Sequence, residues 1–256
     1  MNYALNKALK SKISNLDEVM DSAYLSACKT DVLVRYRNDP KGVFRVPGSS
    51  CDINYLDIFK EVVLQDCYRL QGIRDLNPQN IFDIGANIGC FSFFSKILWP
   101  DSKIFAVEPV IENFDVLIEN FSDSELFTSS LAFPAALSEK SGEGFMVMDP
   151  CNVGAAHLSA YGLPVKKISY AEMVSRSGCY PDLVKLDIEG EERNVLPELM
   201  MHIRPKAILL EWHVIQERDR SDIARPIRML KNYGYRTNAR YLPRSQTYQI
   251  EAIQKP

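Results

Sequence analysis

Side chains able to do chemistry recur in this chain where apolar runs stop. Asp83 follows Ile81-Phe82, and Glu108 follows Phe105-Ala106-Val107. Lys185, Asp187 and Glu189 punctuate Val184-Lys185-Leu186-Asp187-Ile188-Glu189-Gly190, and Glu211 and His213 close Leu209-Leu210-Glu211-Trp212-His213. A carboxylate at a strand end can accept both hydroxyls of a ribose, the part an acid plays in dinucleotide folds. A histidine can take a proton near neutral pH, and a lysine can stabilise a developing alkoxide. An alcohol needs such help to lose its proton. Lys185, Asp187, Glu211 and His213 are therefore the candidate catalytic residues for group transfer to a hydroxyl. Asp187 could instead hold the amino group of a cofactor.

The turn after Asp83 reads Gly85-Ala86-Asn87-Ile88-Gly89. Two glycines without Cβ let a ligand approach the backbone. Gly89 stands where a helix starts, so free N–H groups there can meet a carboxylate. Asp83 could take the ammonium of a methionine moiety, directly or through water. Asp83 and Glu108 lie 25 positions apart, about the length of a β-α-β unit. The three-glycine pyrophosphate fingerprint is absent. A nucleoside carrying a zwitterionic amino acid fits better than a dinucleotide, so S-adenosylmethionine is the expected cofactor.

Plainer readings exist. Glycine turns also pack helices on strands. Glu189 and Glu191 could simply open a helix, where acids favour the dipole. His213 could be a packing residue, and Trp212 could belong to the core. Asp187, Glu211 and His213 could hold Mg²⁺ or Mn²⁺, but the order of residues alone assigns no metal site.

These residues need a scaffold that gathers strand ends. From residue 80 the pattern alternates: strands over 81–84, 103–107, 133–137, 183–186 and 207–211, helices over 89–98, 111–121, 191–199 and 222–233, and a last strand over 247–253. An added strand is expected over 144–148, and 150–164 reads as a loop rich in Gly, Ala and Ser. Such alternation predicts an α/β fold, a mostly parallel sheet with helices on both faces. In an open sheet of that kind the carboxyl ends of the strands share one crevice. Before residue 55, helical spacing covers 16–29 and a short strand 43–46; a further helix is expected over 57–70. Residues 1–54 are read as an N-terminal cap and 55–256 as the main domain.

Bulk properties agree. The 256 residues are 46% hydrophobic and 25% charged, with a net charge of −3. That suffices for one large core and offers no basic face for nucleic acid. No apolar run approaches a membrane span, and the N-terminus lacks a leader-like apolar core, so a cytoplasmic location is expected. The six cysteines form no Cys-x-x-Cys pair, so no zinc site is expected. Cys90 reads as a small buried hydrophobe.

Taken together, Asp83-Ile84-Gly85-Ala86-Asn87-Ile88-Gly89, Glu108-Pro109, Ala135-Ala136-Leu137-Ser138, Lys185-Leu186-Asp187-Ile188-Glu189-Gly190-Glu191-Glu192 and Leu210-Glu211-Trp212-His213 resemble the FkbM family of S-adenosylmethionine-dependent methyltransferases. The resemblance runs over about residues 55 to 240. It implies a Rossmann-like class I methyltransferase fold and O-methylation of a small hydroxylated acceptor such as a sugar, glycolipid or polyketide-type metabolite. Carried onto this chain, it implies that Asp83, Gly85, Ala86, Asn87 and Gly89 border the methionine end, that Glu108 and Pro109 flank the ribose, that Ala136 lies near the adenine and that Asp187 faces the methyl or amino group. A catalytically silent binding or scaffold protein on the same fold is the alternative.

Overall fold

The computed structural model describes residues 3–25, 30–37, 39, 42–49, 54–214, 223–242 and 246–255. The chain opens with helices α1 (Tyr3–Lys12) and α2 (Leu16–Leu25) and an antiparallel pair, β1 (Val32–Arg35) and β2 (Val43–Val46). The helix expected over 16–29 is described only to Leu25; positions 26–29 lie outside the described residues. Helix α3 (Tyr55–Phe59) starts from Asn54, whose side chain accepts from the N–H groups of Leu56 and Asp57 while Asp57 reaches back to the Asn54 N–H. That reciprocal cap satisfies donors that a helix start leaves open. The helix widens into a π-turn over Lys60–Leu64 and ends there, short of the expected residue 70. Tyr68 lies beyond it.

Next come β3 (Asn80–Ile84), α4 (Cys90–Leu98), β4 (Lys103–Val107), α5 (Ile111–Ser122) and β5 (Leu131–Phe133). The strand expected over 133–137 is in fact two. Pro134 separates β5 from β6 (Ala136–Leu137), and the two belong to different sheets, because proline cannot continue a ladder. Strands β7 (Gly142–Asp149), β8 (Asn152–Ser159) and β9 (Leu163–Ile168) complete a four-stranded sheet in the order β6-β9-β7-β8. The expected loop over 150–164 is thus corrected to strands. Its small residues hide the pattern, since pairing with β7 rather than side-chain burial holds β8 extended.

The remainder is α6 (Tyr170–Ser177), β10 (Leu183–Leu186), α7 (Glu192–His202), β11 (Ala207–His213), α8 (Ala224–Asn232), β12 (Tyr235–Leu242) and β13 (Thr247–Gln254). Position 222, the expected start of α8, lies outside the described residues. The main sheet has the order β12-β13-β11-β10-β3-β4-β5. Strands β5, β4, β3, β10 and β11 run parallel, and β13 is antiparallel to β11. Chain order reverses at β3, where a crevice forms beyond the strand ends.

Both faces of the sheet are covered. Ile81, Leu183 and Ala207 join one core cluster with α4 and α5, while Phe82, Val184 and Ile208 join another with α6 and α7. Alternate side chains of one strand point to opposite faces, so the mostly apolar strands of the centre feed two cores, with Asp83 and Lys185 the charged pair among them. Residues before 55 share the first core. Leu9, Ile13, Val34 and Phe44 are fully buried in it, and the Phe44 ring lies 4.6 Å from that of Phe93 in α4. Among the described residues no helix is long and apolar enough to cross a membrane.

Candidate active site

Parallel register explains the buried lysine. Lys185 in β10 pairs with Asp83 in β3, so their side chains share one face of the sheet. Lys185 Nζ lies 3.7 Å from Asp83 Oδ1 and 3.3 Å from Asp187 Oδ2, and it donates to the Gly85 carbonyl at 2.5 Å. Burial pulls its pKa down, but Asp187 and Asp83 outweigh that and hold it above the ordinary value. The ammonium is therefore a fixed cation tying the β3 turn to β10.

Asp83 is fully buried and also accepts from the Ser92 hydroxyl at 2.6 Å and the Ser92 N–H at 3.1 Å. It does not border the cavity described below, and its partners are Ser92 and Lys185. Gly89 does not border the cavity either. It has φ +90°, and a Cβ there would meet Leu117 of α5 at 2.8 Å; it serves helix packing. Gly85, with φ +78°, does border the cavity, yet the atom its Cβ would strike is the Asp187 carbonyl oxygen at 1.8 Å. The bare backbone that the sequence offered for a ligand is pressed against β10's own continuation.

A cavity of about 590 Å³ opens beyond the strand ends. Gly85, Ala86, Asn87, Glu108, Pro109 and Ala136 border one part of it, and Lys185, Asp187, Glu211 and His213 another. Glu108 is buried, and its two oxygens accept from the Asn87 N–H at 2.8 Å and the Val110 N–H at 3.0 Å. Burial pushes its pKa up to about 7 despite those bonds. Ala135, Ala136, Leu137, Val110 and Met146 give an apolar slot beside it.

The second part is crowded with charge. Tyr68 donates its hydroxyl toward Asp187 Oδ2 at 2.9 Å and Glu211 Oε2 at 3.3 Å. Thr247 Oγ1 donates to Glu211 Oε1 at 2.8 Å. Burial and the Asp187 charge push Glu211 up to about 7. Burial also raises Asp187, but Lys185 and His213 outweigh it and hold that carboxyl below the ordinary value. His213 Nε2 faces Glu189 Oε2 at 3.3 Å and Asp187 Oδ1 at 3.8 Å, while Nδ1 meets Glu192 Oε1 at 2.9 Å. Burial alone would lower its pKa; Glu192 and Glu189 outweigh it and hold it well above the ordinary value. The surrounding acids thus favour the protonated ring, which argues against His213 as the base. Glu211, whose pKa lies near neutrality, is the group matched to proton transfer.

Asp187, Glu211 and His213 offer ligand atoms within 4.8 Å of one another, a spacing that could hold a metal ion. The Lys185 ammonium and the Tyr68 hydroxyl, however, already face Asp187 Oδ2. Tyr68 and Glu192 were missed by sequence reasoning. Tyr68 carries no motif signal. Glu192 could have been noticed as an acid in a first helical turn that turns out fully buried.

The geometry has counterparts among known proteins. A solved structure of methyltransferase FkbM from Methylobacillus flagellatus KT is similar with a TM-score of 0.50 and 14% identity, over 69% of this chain and 44% of that one. That likeness concerns the fold alone, and the fold is the Rossmann-like class I methyltransferase type. Methyltransferase sdnD of Sordaria araneosa is 36% identical over 87 residues, 33% of this chain and 32% of that protein. Hexuronic acid methyltransferase AglP of Haloferax volcanii is 32% identical over 135 residues, 52% of this chain and 54% of that protein. The chain thus spans between a third and about half the length of these curated relatives. Residues 83–237 match the methyltransferase FkbM domain, from Asp83 through α8 into β12, and the chain belongs to that family.

Proposed function

We propose that this protein is an S-adenosylmethionine-dependent O-methyltransferase acting on a hydroxyl of a small acceptor such as a sugar, glycolipid or polyketide-type metabolite. The observation that carries the proposal is the shared cavity. Glu108 and the Ala86–Asn87 turn line it at the ends of β3 and β4, and Asp187, Glu211 and His213 line it at the ends of β10 and β11. Its size lies within the usual range for small-ligand sites.

The residues fit the cofactor. Glu108 would accept from the ribose hydroxyls, with both oxygens already oriented by main-chain N–H groups. Ala135 to Leu137 would face the adenine, and the acid-rich wall around Asp187 suits a sulfonium. S-adenosylmethionine, when bound, supplies an electrophilic methyl group. The chain's own part is to orient the acceptor, to exclude water and to receive its proton. Glu211 is the proton acceptor, bordering the cavity with Thr247 and Tyr68 fixing its carboxylate. Positioning of two substrates supplies much of the acceleration in such reactions. The similarity to AglP, a hexuronic acid methyltransferase, supports a carbohydrate-like acceptor.

Calorimetry with S-adenosylhomocysteine tests cofactor recognition. Transfer of labelled methyl to a panel of sugars and hydroxylated metabolites tests the reaction. Absence of binding at millimolar nucleoside would overturn the proposal. Binding without transfer to any member would favour a catalytically silent binding protein.

A further inference from the structure

The His213 imidazole is held from behind by a residue that does not reach the cavity. Glu192, in the first turn of α7, is fully buried. Its Oε1 accepts from the Ile188 N–H at 3.0 Å, and its Oε2 from the Gly190 N–H at 3.0 Å. The same Oε1 lies 2.9 Å from His213 Nδ1. Because that oxygen already accepts from a backbone N–H, the proton in the contact belongs to the imidazole. The neighbouring Arg193 donates to the His213 carbonyl at 2.6 Å and stacks its guanidinium 4.6 Å from the Trp212 ring. Two consecutive residues of α7 thus grip the end of β11.

We propose that Glu192 is a positioning residue for His213. Its carboxylate takes the Nδ1 proton together with the N–H groups of the Ile188–Gly190 turn, so that Nε2 faces the cavity-lining acids Asp187 and Glu189. This rests on reading that wall of the cavity as the acceptor's wall. Carboxylates facing a ring nitrogen are a recurrent way to fix a tautomer and a ring plane. The charged groups around the ring are Glu192 from α7, Asp187 and Glu189 from the turn, Glu211 on its own strand and Arg193 on the carbonyl side, with Lys185 beyond Asp187 and the neutral Thr247 across on β13. This ring of acids favours the protonated imidazole, and Glu192 fixes which way its Nε2 points.

The test uses the full chain labelled with ¹⁵N-histidine, with the His213 signals assigned through His213→Asn. In the unaltered protein both ring nitrogens should be protonated at neutral pH, and above the titration the remaining proton should sit on Nδ1. A neutral form carrying its proton on Nε2 overturns the proposal without any variant. Glu192→Gln should lower the His213 titration midpoint by about one pH unit or more and, in the neutral form above it, shift the remaining proton away from Nδ1. An unchanged midpoint overturns the proposal. If the variant does not fold, the tautomer in the unaltered protein still decides. In activity, Glu192→Gln should reduce kcat while the affinity for S-adenosylhomocysteine stays within about twofold, since the interaction lost lies outside the cofactor wall. Equal losses in both would mark Glu192 as scaffold only. The resonance measurements need neither cofactor nor acceptor, so they read out even if methyl transfer is never found.

Discussion

The two walls of the cavity satisfy their polar groups in opposite ways. Along the β3 and β4 turns, a side-chain carboxylate meets main-chain donors: Glu108 takes the N–H groups of Asn87 and Val110. Along the β10 and β11 ends, charged side chains meet one another: Asp187, Glu189, Glu192 and Glu211 surround His213, with Tyr68 between two of them. Backbone partners move little and fix geometry. Partners that are themselves ionisable make every charge depend on its neighbours. The first wall is held by the main chain, and the second is held by the mutual attraction of its own charges.

The sharpest way to break this contrast is Glu211→Gln. If the second wall handles the proton, methyl transfer should fall by about 10²- to 10⁴-fold, with little change in S-adenosylhomocysteine binding measured by calorimetry. An equal loss in both would erase the division. Next is Lys185→Met, which leaves Asp83 buried beside a neutral side chain. Breaking a buried pair from one side typically costs about 3–5 kcal/mol, read as a shift of the urea midpoint. A change in rate alone, with stability intact, would move Lys185 into the chemistry.

A milder test uses pH on the first wall. Burial pushes Glu108 up to about 7, and ribose hydroxyls would favour its ionised form. Binding therefore releases a proton, and the Kd for S-adenosylhomocysteine should fall as pH rises, by at most about tenfold per pH unit, levelling above neutrality. Glu108→Gln should weaken binding and flatten that dependence. The smallest effect is expected for Tyr68→Phe, about 1 kcal/mol of stability for one hydrogen bond. Without the hydroxyl between them, Asp187 and Glu211 repel more, so the Glu211-dependent limb of the rate profile should move to higher pH.

Much of this is legible in the amino-acid sequence. A lysine inside an apolar strand demanded a partner, and parallel register supplied Asp83. Acids ending apolar runs marked the cavity's rim, because strand ends in such a sheet converge whatever the loops do. The hidden parts share a cause: they depend on distance across the chain, not on spacing along it. Tyr68 lies 119 positions from Asp187 and 143 from Glu211, and no local pattern ties them. The protonation of His213 follows from acids on two other segments, so its ordinary pKa was a poor guide. Residues 150–164 looked like a loop because Gly154, Ala155 and Ala156 carry little side-chain signal, while β8 is held to β7 by pairing of Ala156 to Ser159 and of Asn152, with Gly154 and Ala155 in the irregularity between.

The contact of Gly85 with the Asp187 carbonyl, clamped from below by Lys185, has a bearing on how such a protein diversifies. Because the two halves of the crevice are riveted together there, neither can be reshaped without disturbing the other. Freedom to accept a new substrate is left to the antiparallel insertion β7–β8 and to the stretch from Ile58 to Gln65, both of which reach the crevice while standing clear of that rivet. Exchanging those two segments between relatives is the conservative route to a changed acceptor.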